Sequence, residues 1–238
     1  VKIVISEGFG LSNARNAGIK NSKGEVIAFI DDDAWADKYW LERISKNYDK
    51  SDVYGVGGKI IPVFSRKPSW LSEELYWIVG CTYKGFANER VEIRNPIGAN
   101  MSFRREAFEI AGLFKAEIGR YGKRLLGAEE MEFSIRLKKL KPEVKIVYDP
   151  SAIVYHEISL QRVRLKYALR RAYYEGFTKS RFDKDYLKGE YKYLLQLLKS
   201  IPRKALKLRF LELAGIVLVV GSVAFGNFIG KVKCKLGL

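Results

Sequence analysis

Cysteine is almost absent from this chain of 238 residues: Cys81 and Cys234 stand far apart and form no CxxC. That excludes a disulfide scaffold and a thiolate zinc site, and it fits a reducing compartment. Histidine is scarcer still, with His156 alone. There is no internal repeat, no low-complexity tract and no segment of signal-peptide character at the start, where Val1 leads directly into Lys2 to Ile5, read as a short strand. Asn100-Met101-Ser102 has the form of a glycosylation sequon, but nothing else points to secretion.

What is abundant is apolar residue and positive charge. Hydrophobic residues make up 47% of the chain, enough for a packed core, and the net charge is +16. The charge is unevenly spread. From Glu157 to Phe210 there are 15 Lys/Arg against 5 Asp/Glu, a balance suited to nucleic acid or an anionic membrane. The next stretch favours the membrane. Leu213 to Ile229 is 17 residues without a charge, flanked by Lys204, Lys207 and Arg209 on one side and by Lys231, Lys233 and Lys235 on the other. As a helix it covers about 26 Å, slightly less than the roughly 30 Å hydrocarbon core, so it spans with snorkelling lysines or lies in the interface. A buried core helix is the alternative. Gly215, Gly221 and Gly226 in an apolar run flanked by cations suit lipid better.

Periodicity predicts helices over Leu11 to Asn21, Trp40 to Tyr48, Arg105 to Ala111, Glu129 to Lys139 and Leu160 to Phe182. It predicts strands over Val26 to Ile30, Val53 to Ile61, Gly98 to Phe103, Lys145 to Tyr148 and Ile153 to Tyr155. Residues 62 to 97 read as irregular and aromatic. The alternation implies an α/β fold, with the continuous apolar run Val26 to Ile30 expected as a parallel strand buried on both faces.

Four features can carry chemistry. Asp31-Asp32-Asp33 closes the strand Val26 to Ile30, at the sheet edge where open α/β folds bind ligands. Three adjacent carboxylates repel unless a cation offsets them, and a hard divalent metal bridging them to a diphosphate would do so. The alternative is a solvated acidic turn. Glu129-Glu130, with Glu132, opens a helix: either the carboxylates serve the helix dipole, or one is a general base that deprotonates an attacking hydroxyl. His156 follows the strand Ile153 to Tyr155 and is either a structural histidine or part of a metal or diphosphate site. Arg15 is either a surface helix residue or a planar fork for phosphate, and Gly18 beside it suggests close backbone approach.

Taken in order, these segments resemble family 2 glycosyltransferases with the GT-A fold. The matching pieces are Gly10 to Gly18, then Gly24 to Ala34 with its DXD motif, Gly98 to Arg105, Ala128 to Phe133, and Tyr148 to His156. The match covers about residues 1 to 160. A longer pattern adds Lys67-Pro68-Ser69-Trp70-Leu71, Tyr76-Trp77, Gly119 to Lys123 and Tyr173 to Phe177. It is similar to archaeal enzymes that extend dolichyl-phosphate-linked glycans, of the glucosyl-dolichyl-phosphate glucuronosyltransferase type.

The resemblance implies an inverting, metal-dependent transfer from a nucleotide-sugar donor to a polyprenyl- or dolichyl-phosphate-linked acceptor, at the cytoplasmic face of a membrane. It implies Glu130 as base, Arg15, Asp31, Asp32, Asn100 and His156 on the donor diphosphate, Asp31, Asp33 and His156 on Mg²⁺ or Mn²⁺, and Trp70, Trp77 and Glu129 toward the acceptor. Nucleic acid is not an expected partner. The expected organisation is a GT-A catalytic domain over 1–157, a basic amphipathic segment over 158–204 and an apolar membrane-associated helix over 205–238. There are two departures from the family pattern. The first βα unit, whose strand ends in a base-reading acid, is missing. Ala128 also stands where glycine is usual, which would crowd the base helix.

Two other readings remain. Gly8-Phe9-Gly10-Leu11-Ser12-Asn13 before a helix, with Asp31 at the next strand end, suggests a Rossmann-type oxidoreductase. However, Asn13 replaces its third glycine, and the reading leaves Asp32, Asp33 and Glu129-Glu130 unused. A non-enzymatic basic protein for membrane surfaces or nucleic acid would account for the cationic helix but not for the acidic cluster.

Overall fold

Strands and helices alternate through the first two thirds of the computed structural model, which describes residues 2–118 and 127–236. The chain packs as two units. The first comprises Val1–Ile61 and Ala87–His156, the second Pro62–Phe86 and Glu157–Leu238.

In the first unit the elements run α1 (Leu11–Asn21), β1 (Val26–Ile30), β2 (Ala34–Ala36), α2 (Trp40–Ser45) with a 3-10 turn after it, β3 (Val53–Phe64), β4 (Val91–Glu92), β5 (Asn100–Arg104), α3 (Arg105–Ala111), α4 (Glu129–Leu140) and β6 (Lys145–Ile158). The sheet order is β1-β5-β3-β6-β2, with β4 also on β6. Lys2 to Ile5 forms no strand: Ile3 and Ile5 are each 89% exposed.

The strand Val26 to Ile30 lies where its apolar run placed it, but its setting differs. It stands at the end of the sheet order and pairs antiparallel with β5, from Val26↔Arg104 to Ile30↔Asn100. Ile27 is buried while Ala28 and Ile30 are exposed. Only one face is fully used, because that side carries the aromatic core. Phe29 meets Phe108 and Phe114 edge-on, and Phe103 and Phe108 each lie 4.9 Å from the Phe133 ring. These rings, with Met101, Leu137 and Ile146, bind α1, α3 and α4 to the sheet. On the other side Trp40, Ile44 and Tyr48 pack on Val53, Val56, Val147 and Val154. An apolar run of five residues cannot distinguish these two settings of a strand.

The strands expected over Lys145 to Tyr148 and Ile153 to Tyr155 are one strand, β6, which runs through Pro150 without a break. Its ladders with β4 and β2 lie on either side of the proline: Glu92↔Val147 and Val91↔Tyr148 before it, Ala36↔Val154 to Ala34↔His156 after it. The missing N–H therefore breaks no pair in either ladder. The short β2, unforeseen in the sequence, is antiparallel to β6. Gly58 in β3 has a specific cause: a Cβ there would collide with the Ala152 carbonyl and the Asn100 amide. Gly18 has open space at its Cβ position, so the close approach expected there does not occur.

The second unit holds a 3-10 segment, Glu73–Val79, and three helices: α5 (Leu165–Lys179), α6 (Lys188–Leu206) and α7 (Phe210–Lys235). The basic helix α5 is shorter than its charge pattern suggests, and α6 is separate from it. Helix α7 has 26 residues and, among the described residues, is the one helix long and apolar enough to cross a membrane. Its length is about 39 Å, beyond the hydrocarbon thickness that the uncharged segment alone fell short of. Three of its glycines have a packing role, Gly230 lying against Ser180 at the end of α5. Gly226 lies against the Tyr173 carbonyl of α5 and Gly215 against the Trp70 carbonyl, close approaches that a side chain would prevent.

Candidate active site

The β2–β6 ladder determines where the acidic motif lies. Ala34 pairs with His156, so the turn carrying Asp31 to Asp33 is held beside the end of β6. The Ala34 N–H donates to the Asp31 carbonyl at 3.1 Å and closes that turn. His156 is 1% exposed, and its Nε2 lies 2.9 Å from Asp33 Oδ1. One ligand atom each from Asp31, Asp33 and His156 falls within 4.8 Å of the others. Two carboxylate oxygens and one imidazole nitrogen at that spacing are able to hold a divalent cation. Asp32, between them, faces solvent.

Arg15 projects from α1 and is 7% exposed. Its Nη1 donates to Glu129 Oε1 at 3.1 Å and to Glu130 Oε1 at 3.0 Å, and its Nη2 lies 3.8 Å from Asp31 Oδ1. Burial works against the guanidinium charge, but Glu130, Glu129 and Asp31 together outweigh it and hold the pKa above its ordinary value. A single buried cation therefore joins Asp31 at the strand end to the start of α4. Gly98 makes room for this: a Cβ there would strike both Glu130 and Arg15.

The three acids of α4 have different surroundings. Glu129 is 3% exposed and bound to Arg15, so it faces inward rather than toward an acceptor. Glu130 keeps 15% of its side chain exposed and is the more accessible of the pair. Glu132 turns away to Arg136 and Lys115, with Arg136 forking onto both its oxygens at 3.0 Å. Ala128 precedes them with φ 83°, in the left-handed region. Glycine is usual at this position because of backbone conformation, not crowding.

Asn100 was expected at the donor, but it is 0% exposed. Its Oδ1 accepts from Trp40 Nε1 at 2.8 Å, and its Nδ2 donates to the carbonyls of Lys59 at 3.0 Å and Ala152 at 2.9 Å. It ties β5 to α2, β3 and β6, and at that burial the sequon asparagine is no acceptor for a glycan either. Trp40, which the sequence reading did not single out, is its partner. Trp35, stacked at 5.8 Å on Tyr155 and half-exposed, is a second residue missed. Its position became visible only with β2. Trp70 and Trp77 lie in the second unit, where Trp77 Nε1 donates to Tyr193 Oη at 3.0 Å. Gly119 to Lys123, part of the longer resemblance, lies outside the described residues.

The model of the family "Glycosyl transferase family 2" matches residues 1–111. Over 243 residues the chain is 31% identical to a glucosyl-dolichyl phosphate glucuronosyltransferase of Haloferax volcanii, covering 97% of this chain and 77% of that protein. Over 174 residues it is 26% identical to the succinoglycan biosynthesis protein ExoM of Rhizobium meliloti, covering 72% of this chain and about half, 52%, of that one. Among solved structures, the mannosyltransferase PcManGT from Pyrobaculum calidifontis, in complex with GDP-Man and Mn²⁺, superposes with a TM-score of 0.50 at 17% identity, over 97% of this chain and 59% of that one. That likeness bears on the fold, which is GT-A. The identity to the Haloferax protein over nearly the whole chain decides the family: the chain belongs to glycosyltransferase family 2 and is a glycosyltransferase.

Proposed function

We propose that this enzyme transfers a sugar, with inversion, from a nucleotide-sugar donor to a polyprenyl- or dolichyl-phosphate-linked glycan at the cytoplasmic face of a membrane. The observation that carries the reading is Arg15, which joins Asp31 on the donor side to Glu130 on the acceptor side through one buried guanidinium. The lipid acceptor is supported by the name of the Haloferax relative and by the apolar helix α7. Functionally, residues 1–157 carry catalysis, 158–204 form a basic surface segment and 205–238 the membrane helix.

Asp31, Asp33 and His156 would hold Mn²⁺ or Mg²⁺, and their donor set of two oxygens and one imidazole suits either, with the nitrogen favouring Mn²⁺. When bound, the ion neutralises charge on the departing nucleoside diphosphate. Arg15 and the exposed Asp32 flank the diphosphate, Arg15 by its fork and Asp32 through the sugar or solvent shell. Glu130 accepts the proton of the attacking hydroxyl, so the nucleophile approaches as an alkoxide-like oxygen from the face opposite the leaving group. Glu129 and Asn100 are positioning residues: Glu129 anchors Arg15, and Asn100 holds β5 against Trp40. Trp70 and Trp77 are proposed on the acceptor path of the lipid-linked glycan.

The test is transfer of radiolabelled sugar from a panel of nucleotide sugars to extracted polyprenyl-linked acceptors. Glu130→Gln and Asp33→Ala should each lower turnover about 10²- to 10⁴-fold, with folding intact by circular dichroism. Turnover at the wild-type level in either variant would remove that residue from its role, and activity unaffected by EDTA would remove the metal.

A further inference from the structure

The second unit contains a cavity that the catalytic reading does not use. It measures about 280 Å³ and lies between the 3-10 segment Glu73–Val79, Lys84 and the last turns of α6. Lys199 and Arg203, four residues apart, share one face of α6, Lys207 caps the helix end with its N–H on the Arg203 carbonyl, and all three are exposed. Lys84 and Arg209 complete the cationic wall. Beneath them, buried Lys204 binds Glu74 Oε2 at 3.1 Å and Glu212 Oε2 at 2.5 Å. Arg209 shares Glu212 at 3.2 Å. The two carboxylates are thus engaged by Lys204 and Arg209. Among the described residues no ion pair involves Lys199, Arg203 or Lys207.

A second observation points to the kind of anion. Leu206, Leu208, Phe210 and Leu211 are each more than half exposed and interleave with Lys207 and Arg209. Leu208 takes φ 52° and turns the chain there, just before the apolar helix α7 begins at Phe210. Exposed leucines beside a cluster of unpaired cations at the mouth of a membrane-length helix match the boundary of a bilayer, where phosphate groups sit above acyl chains.

We infer that this cavity binds the phosphate group of a membrane lipid, with Lys199, Arg203 and Lys207 on the phosphate oxygens and Leu206, Leu208 and Phe210 against the chain. The inference builds on the membrane reading proposed above. It adds a defined lipid site to a segment otherwise read only as an anchor. Phosphate contacts from several flexible cations need no fixed fork, which suits the lysine-rich composition.

The full chain in a neutral detergent with EDTA should bind geranyl phosphate in calorimetric titration, ignore geraniol, and bind inorganic phosphate more weakly. The double reversal Lys199→Glu/Arg203→Glu, on exposed helix positions, should weaken geranyl phosphate about tenfold or more. Lys231→Glu/Lys233→Glu, near the other end of α7, should leave it unchanged. Equal weakening by both pairs would mean bulk charge rather than a site, and inorganic phosphate binding as tightly as geranyl phosphate would mean a free-phosphate site. Either result overturns the inference. Competition from phosphatidylcholine vesicles doped with polyprenyl phosphate identifies a monoester source, and competition from vesicles doped with phosphatidylglycerol a diester source. Competition from neither overturns it. The membrane reading is tested separately, by flotation of the wild-type chain with plain phosphatidylcholine vesicles. Its failure there leaves the detergent titration to decide the cavity.

Discussion

Arg15 and Glu130 are separated by 115 positions in the chain, yet Nη1 of the arginine donates to Oε1 of the glutamate at 3.0 Å. The same nitrogen reaches the still more deeply buried Glu129 at 3.1 Å. Removing the arginine takes away the cation that two adjacent carboxylates share, one of them almost fully buried. Breaking a buried pair from one side costs more than the pair contributes, because the partner's charge stays behind. Arg15→Ala should therefore lose about 3 kcal/mol in guanidinium unfolding. Glu129→Gln in the same background should recover part of that loss by removing the stranded charge. Wild-type stability in Arg15→Ala would show that the carboxylates find other neutralisation.

Asn100 offers a test of structure against function. Its amide satisfies Trp40 Nε1 and two main-chain carbonyls at once. Trp40→Phe keeps the ring packing and removes one donor, leaving Asn100 Oδ1 short of a partner at a cost of about 1–2 kcal/mol. Asn100→Ala strands the indole N–H and both carbonyls and should cost more than Trp40→Phe. The double variant should cost less than the sum of the two, since they share one bond. Additivity in that cycle would refute the coupling.

The acidic motif, the base helix and the terminal strand could be read from the sequence because each is a local pattern: an apolar run ending in Asp31, an acid pair opening an amphipathic helix, a strand ending in His156. What brings them together is not local. The three residues of β2 are too few for a period to show, yet their ladder sets Asp33 beside His156. The burial of Asn100 was equally hidden, because an asparagine at a strand start looks the same whether it faces a ligand or the Trp40 indole. The sheet setting of β1 was misread for a related reason: a short apolar run signals burial but not which neighbours provide it. Glu129 and Glu130 are adjacent in sequence and chemically identical, both bind Arg15, and only their burial in the fold, 3% against 15% exposed, separates the inward acid from the accessible one.

Glu132 sets a pH dependence that belongs to folding rather than catalysis. Burial pushes its carboxyl upward, but Arg136 and Lys115 outweigh this and hold it below the usual carboxylate range. A carboxylate depressed in the folded state stabilises fully above its unfolded pKa of about 4.3, and that contribution disappears as pH falls through the folded value. Glu132→Gln should therefore be less stable than wild type at pH 7, and the two should converge on acidification below about pH 4. Unfolding midpoints at several pH values check this. A constant gap across that range would mean that the loss is one of packing.

Ala128 pays for its position at the head of the base helix with backbone strain. Its φ of 83° and ψ of 18° lie in the left-handed region, where a Cβ crowds the following carbonyl at a cost of about 1–2 kcal/mol. Glycine removes that cost, but it adds freedom to the unfolded chain, which returns up to about 1 kcal/mol. Ala128→Gly should therefore gain a net stability of about 0.5 kcal/mol. Ala128→Val should lose more than that, since a branched side chain tolerates the left-handed region worse than alanine does. The valine variant carries the sharper consequence. If its backbone relaxes to escape the strain, the first turn of α4 shifts and Glu130 moves away from Arg15, so transfer activity should fall with stability. A valine variant that loses stability but keeps full activity would show that the geometry of Glu130 is set by Arg15 and Gly98 alone, independent of the turn that leads into it.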